Sequence, residues 1–218
     1  MRLEKASKGA IKYACMNFHY AKSIPVNTHG YSVFNSNNEW CGVILYGTGA
    51  NNHIAHEFNL SQGQVIELVR VALNGKQETT SMAIAKSLKM IKKDCPLVEL
   101  IISYADIDQD HIGTIYQACN WYFLGFSMLN KYDDSWVING KRYHGRTVSN
   151  MINRKGGLRD LTRKEFLQKN IDKNATPYIT KGKIKYAFCL NPKRQNQIRL
   201  LSKPYPKKET IQETISND

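Results

Sequence analysis

The sequence predicts an α/β fold, a mixed sheet with flanking helices, followed by a basic α+β extension at its C-terminal end. Three observations carry this. Val65 to Leu73 (VIELVRVAL) is a β-branched run too apolar for an edge facing water. Val98 to Tyr104 (VELIISY) is a second such run, and between them Thr79-Thr80-Ser81 supplies cap residues for a helix reaching about Lys93. Trp121 to Phe126 reads as a third strand after a short helix over His111 to Asn120. Strand–helix–strand–helix–strand at this spacing requires at least one parallel pair.

The remaining elements follow from local signals. Residues 9–20 form a helix with Ile11, Ala14, Cys15 and Phe18 on one face, ended by Ile24-Pro25-Val26. Tyr31 to Phe34 and Glu39 to Tyr46 flank Asn35-Ser36-Asn37-Asn38, a hairpin signal. Gly47-Thr48-Gly49-Ala50 breaks the second strand, and Asn51, Asn52, His53, His56 and Asn59 read as loop rather than as a helical metal site. Cys95-Pro96 stops the central helix, Asp106 to Asp110 makes an acidic turn, and Ser135 to His144 is a hairpin turning at Asn139-Gly140. Thr162-Arg163-Lys164-Glu165 is a capping box. Lys183 to Leu190 reads as a strand and Pro192 to Leu201 as a helix with Pro first. The expected division is a core over 1–147 and an extension over 148–218, frayed across about the last 12 residues.

Composition limits the function. The 218 residues suit one domain with an appendage, and 42% hydrophobic content supports a core. No apolar run reaches transmembrane length and the N-terminus lacks a secretory pattern, so a cytoplasmic protein with no membrane partner is expected. Cys15, Cys41, Cys95, Cys119 and Cys189 are odd in number and form no CxxC pair, which fits reduced thiols and not structural zinc. The net charge of +13 is uneven: residues 1–147 hold 15 Lys+Arg against 12 Asp+Glu, residues 148–218 hold 16 against 6. Clustering of that kind is the electrostatic footprint of a nucleic acid partner. Lys141, Arg142, Arg146, Arg154 and Lys155 are the first candidates for phosphate contacts.

Taken in order, HYAKSIP (19–25), CGVILYGTGAN (41–51), ELVRVAL (67–73), SYAD (103–106) and GTIYQACNWYFLG (113–125) resemble the Mom family of bacteriophage DNA modification proteins, a divergent branch of the GNAT acyltransferase fold. The likeness covers roughly residues 8–147. It implies transfer of a carbamoylmethyl group to the exocyclic nitrogen of adenine in double-stranded DNA, protecting phage DNA from host restriction. An acyl-CoA-type donor and an iron ion are the cofactors it implies.

In a GNAT-like core Val65–Leu73 and Val98–Tyr104 would splay apart, leaving backbone near Val69 and Val71 for an amide-bearing donor. The donor's phosphates would meet the helix N-terminus at Thr79, Thr80 and Ser81. Lys76-Gln77-Glu78 lacks the usual Gly-x-Gly loop, however, and plain capping by Thr79 or Thr80 reads equally well. His19, Tyr20 and Asp106 are candidates either as metal ligands or as a base and its orienter on the adenine amine. Tyr116 carries over as a general acid, with a core stripe beside Ile112 and Cys119 as the plainer reading, and Ser103 is a candidate lining residue. Glu67 and Arg70, three apart on one strand, are expected on opposite faces and unable to pair. Trp121, Tyr122 and Trp136 are stacking candidates for a flipped base, burial being the ordinary fate of Trp. Two alternatives share these features: an acyl-CoA-dependent N-acetyltransferase acting on a protein or small amine, and a non-catalytic nucleic acid-binding protein.

Overall fold

The computed structural model describes residues 1–26, 28–49 and 53–216; Asn51 and Asn52, with the end of the 41–51 motif, lie outside the described residues. The chain opens with β1 (Arg2–Lys5), α1 (Lys8–Asn17), β2 (His29–Phe34) and β3 (Trp40–Gly47). The predicted strand–helix–strand follows as β4 (Val65–Leu73), α2 (Thr80–Asp94) and β5 (Leu100–Asp106), then α3 (Thr114–Gln117) and β6 (Tyr122–Ser127). Next come β7 (Lys131–Ile138), β8 (Lys141–Tyr143), α4 (Gly145–Arg154), α5 (Arg163–Asn170) and β9 (Thr176–Thr180). The last elements are β10 (Lys183–Cys189), α6 (Gln195–Leu201) and α7 (Lys208–Ser216). No helix among the described residues is long and apolar enough to cross a membrane.

Seven strands form one mostly antiparallel sheet in the order β1-β2-β3-β4-β5-β10-β6. The expected parallel pair is β4 with β5, in register from Val65↔Leu100 to Glu67↔Ile102. Ile101 and Ile102 are fully buried, as their uninterrupted apolar run requires. On the other side of β4 the antiparallel register to β3 slips: Leu45 pairs with Arg70 but Tyr46 with Leu68, which leaves Val69 unmatched in a β-bulge. Ala14 and Cys15 of α1 pack on Val43, Leu45 and Ala72 of this sheet.

The helix expected over His111 to Asn120 shrinks to a single turn. Gly113 stands at φ +78°, and a Cβ there would lie 2.2 Å from the Tyr186 ring, so helical backbone cannot start before it.

Compactness divides the chain differently from the expected break at 147/148. One unit comprises Met1–Ala105, His111–Gly125 and Ile184–Pro206; the other comprises Asp106–Asp110, Phe126–Lys183 and Lys207–Asp218. The second has its own three-stranded sheet, β8-β7-β9, and its own core of Trp136, Ile138, Val148, Ile152, Phe166 and Leu167. Basic charge does not follow this division: the first unit holds 16 Lys+Arg against 7 Asp+Glu and the second 15 against 11, and the excess is instead a feature of chain segments. Residues 126–183 hold thirteen Lys+Arg against five Asp+Glu, whereas residues 1–125 hold eleven against ten. Lys208–Ser216 is helical, with Ile211 buried.

Candidate active site

β4 and β5 stop pairing at Glu67 and Ile102, and the groups with chemical potential in the first unit gather around the strand segments beyond that fork. The bulge at Val69 matters here. One extra residue shifts the alternation of side chains, so Glu67 and Arg70 fall on the same face instead of the expected opposite ones. The Glu67 carboxylate accordingly favours the Arg70 cation against the burial that pulls it down. Gly49 (φ +74°) makes room for that carboxylate, since a Cβ there would come 2.3 Å from Glu67 Oε2.

α1 starts at Ser7, whose hydroxyl accepts from the Ala10 amide at 3.1 Å, and it ends at Phe18, which places His19 and Tyr20 in the turn beyond. Arg70 Nη1 lies 2.8 Å from His19 Nδ1, and the Ala21 amide donates to the same nitrogen at 3.1 Å. The amide can only donate, so Nδ1 accepts, and Arg70 Nη1 also lies 3.3 Å from Nε2, so the guanidinium sits against both ring nitrogens. Burial, then Arg70, His111 and Lys22, lower the His19 pKa to about 3. The imidazole is neutral. Its ring stacks on Tyr20 at 4.2 Å between centroids, and Tyr20 meets His111 edge-on at 5.9 Å. Arg70 Nε is buried with no hydrogen-bond partner among the described residues, so one donor of a fixed cation points at no acceptor.

Ser103 and Tyr116 form the second cluster. Ser103 Oγ lies 2.9 Å from the Leu68 carbonyl and 2.8 Å from the Tyr116 hydroxyl. The carbonyl can only accept, so when Ser103 gives it the proton, the phenol donates to Ser103. Burial raises the Tyr116 pKa to about 12, with Ser103 opposing and Glu67 adding to the rise. The phenol therefore keeps its proton at neutral pH. Tyr116 is buried against Trp121 and Tyr186, as the core reading expects, and its hydroxyl meets Ser103 beside the fork.

Asp106 ends β5 and falls in the second unit; its carboxylate accepts from the Asp108 amide at 3.1 Å, capping the turn over Ile107–Gln109. Thr79 caps α2 by accepting from the Met82 amide at 3.1 Å, with Ser81 Oγ 3.3 Å from Thr79 Oγ1 and Thr80 taking a bond from Gln77. Val71 pairs with Ile44, and Val69 is the bulged residue. Iron does not fit the His19–Tyr20 pair. Arg70 lies within 3.3 Å of both ring nitrogens and brings a positive charge to them, and the described residues hold no cluster of three or more His, Cys, Asp or Glu set to bind an ion.

The Mom protein family model matches residues 1–207. The chain belongs to the Mom family. It is 27% identical over 214 residues to methylcarbamoylase mom of Escherichia phage Mu, covering 95% of this chain and 84% of that protein. Among solved structures it is similar to a Bacillus subtilis acetyltransferase in complex with CoA, at 11% identity and TM-score 0.47, over 87% of this chain and 98% of that one. A Vibrio cholerae spermidine N-acetyltransferase in complex with CoA and spermine gives 9% and 0.44, over 86% and 94%. Both superpositions are loose.

In this Mom-family chain all five candidate phosphate-contacting residues lie in the second unit. Arg142 is committed elsewhere: it bonds Asp108 at 2.8 Å and covers the Tyr178 ring at 3.9 Å. Lys141, Arg146, Arg154 and Lys155 are exposed. Trp121 and Trp136 are buried, so neither offers a stacking face. Arg70 and Glu67 are the site residues that sequence reasoning missed. A charged pair inside an otherwise apolar strand was the available signal, and the strict alternation of strand geometry argued it away.

Proposed function

We propose that this chain is a DNA modification enzyme that adds a carbamoylmethyl-type group to the exocyclic amine of adenine, as its family membership suggests. The observation that carries this reading is the Arg70 guanidinium, fixed by His19 at 2.8 Å beside the strand fork, with its Nε left without a partner among the described residues. A preorganised cation of this kind stabilises negative charge that develops on a donor carbonyl or leaving group, and costs no reorganisation when the reaction occurs. An acyl-CoA-type donor would lay its amide-bearing arm along β4 beyond Glu67, where pairing to β5 has ended.

The adenine amine is a weak nucleophile because its lone pair is delocalised into the ring. For a carbamoylmethyl group to be transferred whole, the nitrogen must bond to the methylene carbon of the donor, whose bond to the leaving group breaks with the electron pair going to the leaving group; attack at a thioester carbonyl gives an N-acyl product instead. The amine proton then needs an acceptor. His19 is a poor one, since its basic nitrogen is filled by Arg70 and its pKa lies near 3. Glu67, an acceptor-only carboxylate on the same face, suits the task, and Tyr116 with Ser103 offers a proton to the departing group. His19 then acts as a positioning residue for Arg70. The acyl arm and the DNA supply the remaining parts.

The test is expression of the full chain in bacteria, digestion of total DNA to nucleosides, and mass analysis. Wild type is expected to yield a heavier adenosine, and Arg70→Met to abolish it while remaining folded. An unaltered nucleoside profile from soluble, folded wild-type protein refutes the proposal.

A further inference from the structure

Helix α4 turns Val148 and Ile152 into the core of the second unit, beside Trp136 and Ile138. Its other face presents Arg146, Thr147, Asn150, Asn153 and Arg154, all exposed, and no acidic residue occurs from Gly145 to Arg159. Among the described residues the side chains of Arg146, Asn150, Asn153 and Arg154 make no hydrogen bond or ion pair.

This face is poorly chosen for helix stability. Thr147, Asn150 and Asn153 are weak helix formers in a ten-residue helix. Neither arginine has an acid three or four positions away, and Arg146 stands in the first turn, where the helix dipole disfavours a cation. The same side chains suit a different task. In the major groove Asn pairs bidentately with adenine N6 and N7, Arg pairs with guanine O6 and N7, and Thr packs on the thymine methyl. From Arg146 to Arg154 the face runs about 12 Å along the axis. Lys155 and Arg159, also exposed, follow the helix in the chain and supply charge for the phosphates.

We propose that α4 is a reading helix that lies in the major groove of duplex DNA and selects the sequence in which adenine is modified, with Asn150 and Asn153 as its adenine-reading side chains. The proposal rests on the DNA-modifying function above. Duplex DNA is favoured over RNA because the deep, narrow major groove of A-form RNA does not admit side chains for base readout.

The purified full chain is incubated with duplexes bearing a random core, and bound molecules are sequenced. Three proteins are compared: wild type, Asn150→Ala/Asn153→Ala, and Arg146→Ala/Arg154→Ala, each checked for native circular dichroism. Wild type is expected to enrich a short motif. The Asn variant loses its adenine preference, by about tenfold per base, while affinity for unselected duplex stays within about threefold. The Arg variant changes other positions of the motif, or flattens it, and loses part of the salt dependence. Two results overturn the inference: a motif identical in wild type and the Asn variant, or wild-type binding that selects no motif or prefers RNA or single strands. The adenosine mass measurement separates the two claims. Motif selection that depends on α4, without a new adenosine, refutes the chemistry and leaves the reading helix standing; a new adenosine with no effect of the α4 variants on the motif does the reverse.

Discussion

Neutral His19 makes a prediction about pH that tests the Arg70 arrangement without any substrate. The imidazole ordinarily titrates near 6.5, and in the folded chain burial and Arg70 bring it to about 3. A group with a depressed folded pKa contributes stability that is complete above the unfolded value and is lost as pH falls toward the folded one. The window therefore runs from pH 6.5 down to about 3. At pH 5 the unfolded chain has already taken up its proton while the folded chain has not. The gap at that pH is about 1.5 units, or roughly 2 kcal/mol at 1.36 kcal/mol per unit. His19 is only partly buried, so solvent screening reduces this to about 1–2 kcal/mol.

The perturbation is His19→Gln, which cannot titrate but can still accept from Arg70 through its amide oxygen. Thermal midpoints of both proteins are measured at pH 7 and pH 5. Wild type is expected to lose about 3–6 °C more than the variant between those values, for a chain of this size. Imidazole NMR should show His19 still neutral at pH 5. Equal pH slopes in the two proteins, or a His19 resonance titrating between 6 and 7, refute the Arg70–His19 contact and with it the fixed cation.

Other predictions follow from single contacts. Gly49→Ala forces a side chain onto a positive-φ residue and against the Glu67 carboxylate; a loss of about 1–2 kcal/mol in denaturant melts and a fall in adenosine modification are expected. Asp108→Asn removes a carboxylate that is 2% exposed and bonded to Arg142, Thr180 and the Lys181 amide. Loss of roughly 3 kcal/mol should appear as faster amide exchange in β7–β9, with the β2–β4 sheet unaltered. Burial pushes the Asp108 carboxyl up but these partners outweigh it and hold it low, so the contribution is intact at neutral pH and fades only under acid. Tyr116→Phe keeps the ring packing and removes one hydrogen bond, so stability should change by about 1 kcal/mol while modification slows about 100-fold; unchanged modification would assign Tyr116 to the core alone.

The sequence made the sheet legible where patterns were strong. VIELVRVAL and the capping threonine of α2 fall where expected, because a buried parallel pair needs a continuous apolar run and a helix needs its first amides satisfied. The second unit was much less legible. GRTVSNMINR of α4 is dense in weak helix formers, and tertiary packing of Val148 and Ile152 overrides that local preference. The charge asymmetry along the chain was visible, but it does not map onto the two folded units, since the basic stretch 184–206 belongs to the first unit and the acidic turn Asp106–Asp110 to the second.

The site illustrates a deeper limit, and β4 states it in three residues. Counting by twos along an ideal strand sends Glu67 and Arg70 to opposite sides, and no residue in ELVRVAL announces that the count should break. The break is set by the neighbour: Tyr46 pairs with Leu68 and Leu45 with Arg70, so Val69 is extruded and the parity of everything beyond it is reversed. A long-range pairing thus puts two separate charges on one face. His19 reaches that face through the turn after α1, and burial there, with Arg70 second, then lowers its pKa. Deleting Val69 should therefore do more than shorten a strand. It would restore ideal pairing with β3 and return Arg70 to the face away from Glu67. A protein that stays folded, loses modification and regains a histidine titrating near 6.5 is the expected result. Retained modification in that deletion would show that the parity of β4 is irrelevant to the chemistry.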